Sequence, residues 1–332
     1  MADKISVCVA GGGSWGTALG HLLARGGHDV SIWLRDDAVA RAINRKHENP
    51  RYLPGLPLDP RLAATTDPAV LARPLVVLAV PCQQLRPWLA GHACHFQPGV
   101  TLVNAAKGIE TGSLATCAEI TAQELGGLNP RYAVLSGPSF AADVLRDLPT
   151  AVVLASYDEA LGRYLRGVFS GPAFRCYSST DVVGVEMGGA LKNVMAIAAG
   201  TCDGLGLGAN SRAALVTRGL AEMSRLGIAR GAQAHTFMGL SGLGDLTLTC
   251  TDDLSRNRQV GLRLGRGEKL EHITQSLGMV AEGVKTTAAI HEMAQKLQVE
   301  APLTRAVYGI LYKEMAPPTV LHDLMARDLR EE

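Results

Sequence analysis

The chain has 332 residues, 47 % of them apolar and 19 % charged, which is enough to bury a full core and excludes a disordered or fibrous protein. Lys and Arg total 32 against 31 Asp and Glu, so the net charge is +1 and no field exists of the kind that a dedicated nucleic-acid binder needs. Seven cysteines (8, 82, 94, 117, 176, 202 and 250) form no CxxC pair, which points away from a disulfide framework or zinc ribbon and towards a reducing, cytoplasmic setting. The tract His92-Ala93-Cys94-His95 has ligand-type residues but no second pair at metal spacing, and His291-Glu292 lacks the histidine that a zinc-protease helix requires; no metal is expected. The start shows no signal-peptide architecture, and the longest apolar runs, such as 75–80, are shorter than the ~20 residues of a membrane span.

In chain order, residues 5–10 form a near-continuous apolar run, as expected of a strand covered on both faces. A helix follows over 15–25, closed by Gly26-Gly27. A second strand runs over 29–34, and Asp36 or Asp37 caps a helix that stops near Asn49-Pro50. Further buried strands are expected at 75–80, 100–104, 133–135 and 151–155. Beyond about residue 179 strand-like runs cease, and 182–199, 211–226, 284–297 and 302–313 carry helical periodicity. The expectation is a doubly wound, mainly parallel α/β sheet in a dinucleotide-binding domain, 1–178, followed by an all-helical substrate-binding and catalytic domain, 179–332.

Gly11-Gly12-Gly13-Ser14-Trp15-Gly16 fits G-x-G-x-x-G. A strand directly before it, a helix directly after and a second strand ~20 residues on supply the βαβ context of a Rossmann-type fold. Gly11 permits the tight turn, Gly13 lets backbone approach a pyrophosphate, and Gly16 lets helix pack on strand. Arg35 stands where an NAD site would usually place Asp or Glu, which favours NADP(H), although Asp36 is its immediate neighbour and a shift of one residue would reverse the inference.

Two lysines stand out. Lys107 follows a buried strand, on the side where open α/β sheets bind ligands. Lys192 lies in an otherwise apolar helix with no acidic residue three or four positions away, so it is expected inside the protein or lining a cleft. Burial disfavours its ammonium form, which suits proton transfer near neutral pH; a snorkelling lysine is the bland alternative. The paired glycines at 188 and 189 are expected to leave room for a ligand. Later, Ser255-Arg256-Asn257-Arg258 reads either as a phosphate clamp or as a helix start capped by Asp252 or Asp253 with Arg258 solvated.

Taken in order, these segments resemble the bacterial NAD(P)-dependent glycerol-3-phosphate dehydrogenases. The match also takes in Asn49-Pro50-Arg51-Tyr52-Leu53-Pro54-Gly55, residues 104–110, Ser136-Gly137-Pro138-Ser139-Phe140-Ala141, residues 239–245 and Glu282-Gly283-Val284. The resemblance implies reversible reduction of dihydroxyacetone phosphate to sn-glycerol 3-phosphate, supplying phospholipid synthesis, by a homodimer. It makes Lys192 the proton donor, with Lys107 touching both substrate and cofactor. Substrate contacts would come from Gly137, Ser139, Asp245, Ser255, Arg256 and Asn257. Nucleotide contacts would come from Ser14, Trp15, Arg35, Ala141, Arg256, Val280 and Glu282. Asp245, which cannot bind an anion, is expected to hydrogen-bond a substrate hydroxyl or to orient Lys192. The competing readings are a β-hydroxyacid or 6-phosphogluconate-type dehydrogenase, and a non-catalytic nucleotide sensor.

Overall fold

The computed structural model describes residues 4–277 and 281–326. They form two compact units, one of residues 4–107 and 115–186, the other of residues 108–114 and 187–326 without 278–280.

The first unit is built on ten strands: β1 (Ser6–Ala10), β2 (Asp29–Trp33), β3 (Glu48–Asn49), β4 (Leu53–Pro57), β5 (Ala63–Thr65), β6 (Leu75–Leu78), β7 (Thr101–Asn104), β8 (Arg131–Ser136), β9 (Thr150–Ala155) and β10 (Phe174–Ser179). Eight of them make one sheet in the order β10-β9-β8-β7-β6-β1-β2-β5, while β3 and β4 form a separate antiparallel pair. Pairing is parallel from β5 through to β8, antiparallel between β8 and β9, and parallel again between β9 and β10. The helices are α1 (Ser14–Arg25), α2 (Asp37–Lys46), α3 (Cys82–His92), α4 (Cys117–Leu125), α5 (Ala141–Leu145) and α6 (Glu159–Phe169). Apolar clusters fill both faces: Val7, Val9, Leu19, Ile32 and Val77 on one, Cys8, Val76, Leu78, Leu85 and Leu102 on the other. That two-sided burial is why β1 and β6 read as continuous apolar runs rather than alternating ones. Since β1 is flanked by β2 on one side and β6 on the other, the chain reverses its winding there, and the ends of these strands open a crevice for a ligand.

The second unit is helical: most of α7 (Val182–Gly204), then α8 (Gly208–Ala229), α9 (Asp245–Thr251), α10 (Arg256–Gly265), α11 (Leu270–Leu277), α12 (Glu282–Lys296), α13 (Pro302–Tyr312) and α14 (Pro317–Met325). The division between units falls inside α7, after Glu186. By length and hydropathy α7 could cross a membrane, a possibility that counting uninterrupted apolar runs misses, yet 94 % of its most apolar window is buried as a core helix. Where α7 meets α10 the backbones approach closely at four glycines, next to the Asp203–Arg258 ion pair. A methyl group on Gly200 would lie 2.0 Å from the Arg258 carbonyl oxygen, and one on Gly261 would lie 1.9 Å from that of Ile197. Gly204 and Gly265 are equally crowded, so the two backbones touch along more than a turn.

Candidate active site

The glycine loop is shaped by three different constraints. Gly11 has φ +122°, and a methyl group there would sit 2.6 Å from the Ala79 carbonyl oxygen just after β6. Gly16 is closer still, 2.0 Å from the Gly11 carbonyl oxygen. Gly13, in contrast, faces open space and has ordinary extended backbone (φ −72°, ψ −179°). As the N-cap of α1 it offers no side chain, and the first turn of α1 carries no acid, so the helix start has unanswered N–H groups and no competing negative charge. The indole nitrogen of Trp15, in that same turn, is buried with no hydrogen-bond partner among the described residues. These features fit a dinucleotide whose pyrophosphate sits on the helix start.

The end of β2 places Arg35 and Asp36 in different surroundings. Leu34 lies against the glycine loop, where a methyl group on Gly12 would approach its Cδ2 to 2.6 Å, and the next residue, Arg35, is exposed. Asp36 is occupied. Its Oδ1 accepts from the N–H groups of Ala38 (3.0 Å) and Val39 (3.3 Å) as the N-cap of α2, and its Oδ2 pairs with Arg51 at 2.9 Å. The Val39 N–H, helped by Arg51 and Ala38, holds this carboxyl below the usual carboxylate range.

At the ends of β7 and β8 the chain gathers Lys107, Gly137 and Ser139. Lys107 Nζ donates to the Gly137 carbonyl at 3.3 Å, and Ser139 Oγ donates to the same oxygen at 3.0 Å. Gly137 has φ +145° and would put a methyl group 2.9 Å from the Val152 Cα, so only glycine fits. Asn104 fixes the turn before Lys107 by bonding both the N–H and the carbonyl of Ala106. Ala141 opens α5 and is half-buried.

In the helical unit Lys192 is 7 % exposed and Asp245 only 1 %. The acidic partner missing from α7 comes from α9: Lys192 Nζ donates to Asp245 Oδ1, and to Thr249 Oγ1 at 2.8 Å. Asp245 opens α9 directly after a π-helical turn, residues 240–244, and Thr249 lies one turn further on the same face. The lysine and the carboxylate thus form a buried ion pair. The room expected beside Gly188 is taken, because a methyl group there would lie 2.5 Å from the Ser241 carbonyl oxygen. Asn193, next to Lys192, is buried, and its side-chain amide makes no hydrogen bond among the described residues.

Ser255 caps α10, its hydroxyl accepting from the Arg258 N–H at 3.2 Å, so neither Asp252 nor Asp253 does. Arg256 is the exposed guanidinium of the segment. Arg258 is buried rather than solvated, held by Asp203 Oδ2 at 2.6 Å and by Asp253. Asn257 Oδ1 accepts from the Gly283 N–H at 3.0 Å, which ties α10 to the start of α12 beside the half-buried Glu282. Val280 lies outside the described residues. Sequence reasoning missed Thr249 and the Arg258–Asp203 pair, and it named Asn49 and Asn193 as parts of the resemblance, with no functional role of their own. For Thr249 a signal existed, its spacing of four from Asp245.

A sequence profile described as the NAD-dependent glycerol-3-phosphate dehydrogenase N-terminus matches residues 6–162, and one described as the C-terminus of the same enzyme matches residues 181–322. The chain belongs to this glycerol-3-phosphate dehydrogenase family. A glycerol-3-phosphate dehydrogenase [NAD(P)+] from Desulfovibrio desulfuricans is 99 % identical over the full length of both chains. One from Nitratidesulfovibrio vulgaris is 58 % identical over 99 % of this chain and all of that one. The crystal structure of glycerol-3-phosphate dehydrogenase from Coxiella burnetii superposes with a TM-score of 0.93 at 40 % identity, covering 98 % of this chain and 99 % of that one. In this glycerol-3-phosphate dehydrogenase the sheet unit carries the glycine loop, and the helical unit carries the buried Lys192 paired with Asp245.

Proposed function

We propose that the protein is an NAD(P)-dependent dehydrogenase that reversibly reduces dihydroxyacetone phosphate to sn-glycerol 3-phosphate and supplies glycerophospholipid synthesis as a cytoplasmic homodimer. The observation that carries the chemistry is the buried Lys192 held by Asp245 and Thr249. When bound, the coenzyme supplies a hydride to C2 of the ketone. The oxygen on C2 then gathers negative charge and needs a proton and a cation. Lys192 provides both: its Nζ gives up a proton to that oxygen in reduction and takes it back in oxidation. Asp245 keeps the amine charged until the transfer and fixes its rotamer. Lys107 adds a second positive charge, and Gly137 and Ser139 line its side of the substrate.

The substrate phosphate contributes binding energy remote from C2. Arg256, with Ser255 and Asn257, is the clamp: Arg256 is an exposed residue at the start of α10, and Arg258 is buried against Asp203 and Asp253. The Ser255 hydroxyl accepts from the helix and retains its own proton to donate. On the coenzyme side, Gly11, Gly13, Ser14, Trp15 and Gly16 hold the pyrophosphate, and Ala141, Val280 and Glu282 complete the nucleotide site. The exposed Arg35 beside a spent Asp36 favours NADP(H) over NAD(H).

The test is absorbance at 340 nm with NADPH or NADH and dihydroxyacetone phosphate. Oxidation of coenzyme on adding this ketone is expected, with the higher kcat/KM for NADPH; no oxidation with either coenzyme defeats the assignment. Lys192→Ala is expected to keep coenzyme binding and lose at least ~100-fold in kcat. Near-normal kcat in that variant removes Lys192 from proton transfer.

A further inference from the structure

Residues 49–52 form a turn bolted to the phosphate loop. Asn49, fully buried, donates to the Gly12 carbonyl (3.0 Å) and to Thr17 Oγ1 (2.8 Å), and its Oδ1 accepts from the Tyr52 N–H (3.3 Å). Ser14 Oγ, in the first turn of α1, donates to the Tyr52 carbonyl at 3.3 Å. Arg51 projects from this anchored turn. Its Nη1 lies 2.9 Å from Asp36 Oδ2, and its guanidinium carbon lies 5.4 Å from the centre of the Tyr52 ring. Nε and Nη2 have no partner among the described residues.

The local charge is therefore two arginines, 35 and 51, around one aspartate whose oxygens are already engaged. A ribose diol is recognised by a carboxylate free to accept both hydroxyls, whereas Asp36 already accepts two N–H groups on Oδ1 and carries the Arg51 guanidinium on Oδ2. A phosphate ester on that ribose is recognised by guanidinium forks, and two are present. The ion pair and the ring restrict Arg51 beforehand, so less side-chain freedom is lost when an anion binds.

We propose that Arg51 is a coenzyme-specificity residue which, together with Arg35, receives the 2′-phosphate of NADP(H), with Asp36 acting as its positioning partner. This rests on the NADP(H) preference argued above. The experiment compares wild type, Arg51→Ala and Arg51→Gln for kcat/KM with NADPH and NADH, and for displacement of coenzyme by 2′,5′-ADP and by ADP. In both variants the NADPH-to-NADH ratio of kcat/KM is expected to fall ~10–100-fold, the scale of a charge-assisted phosphate contact, and the preference for 2′,5′-ADP over ADP should fall in parallel. If wild type itself shows no preference for the 2′-phosphorylated ligands, the NADP(H) reading fails and this proposal with it. If wild type shows the preference and the variants keep it, Arg51 alone is overturned. A loss shared equally by both coenzymes also overturns it, by making Arg51 a prop for the 49–52 turn.

Discussion

Within a single turn, glycines identical in the sequence do different jobs, and the empty space around each tells them apart. Gly16 has no room because the Gly11 carbonyl oxygen is there; a methyl group on Gly13 would meet nothing within 4 Å. We expect Gly16→Ala to lower unfolding free energy by ~1–3 kcal/mol or more through overpacking. Gly13→Ala should melt like wild type yet bind coenzyme ~10-fold or more weakly, because its methyl group occupies the approach of the anion. Thermal melting and a coenzyme titration on the two variants separate these effects. Equal losses of stability in both would show that Gly13 is merely another packing glycine. The glycine loop is legible in the sequence because its partners are local in the chain. From the sequence, orienting Lys192 is only one of two roles expected of Asp245, beside the family resemblance; the Lys192–Asp245 pair has no local signature, since the acid lies 53 residues further on. The same holds for Arg258, whose partner Asp203 lies 55 residues before it.

Among elements, the apolar strands at the centre of the sheet announce themselves and the edge strand does not. β10 (FRCYSS) alternates buried and exposed residues and carries Arg, Tyr and Ser, so it lacks the run that marks β1 or β6. Strand direction is also silent in the sequence. Nothing in 150–155 says that β9 runs against β8, since that depends on the short α5 connection rather than on composition. The α7–α10 crossing is hidden for a related reason: glycines at 200, 204, 261 and 265 resemble helix weaknesses until the facing backbone is known. Gly261→Ala must push the Ile197 carbonyl away or bend α10, and we expect a loss of ~1–3 kcal/mol or more. A urea midpoint shifted down at constant slope is the expected observation, and an unchanged midpoint would mean that the crossing yields easily.

At the scale of the whole molecule, a near-neutral chain has no large self-repulsion, and its response to acid depends on individual buried groups. His21 is one. Its Nδ1 accepts from the Asp59 N–H at 3.0 Å, which puts the ring proton on Nε2, where it is buried without a partner. Burial, with Arg25 adding, holds its pKa below 6.5. The unfolded chain therefore takes up this proton first as pH falls, so the stability from neutral His21 is present above 6.5 and is lost as pH drops through the folded-state value. The slope from this group is at most ~1.4 kcal/mol per pH unit. His21→Asn, which offers an acceptor to Asp59 without titrating, should flatten the fall in melting temperature between about pH 7 and pH 5.5. An identical fall in both proteins would assign the acid sensitivity elsewhere. At this scale the sequence shows a change of texture near residue 179, from strands alternating with helices to helices alone; the assignment of residues 108–114 to the helical unit depends on contacts that no local pattern encodes.

The close main-chain crossing of α7 and α10 has a consequence for anyone wishing to redesign this catalyst. At those four glycines the facing atoms are main chain, with no rotamer to yield, so a library that diversifies them is expected to return mostly unfolded scaffolds, whatever substrate is screened. The tip of α10 rides on that rigid joint, and new specificities are better sought in residues 254–257 just ahead of it, leaving the joint itself untouched.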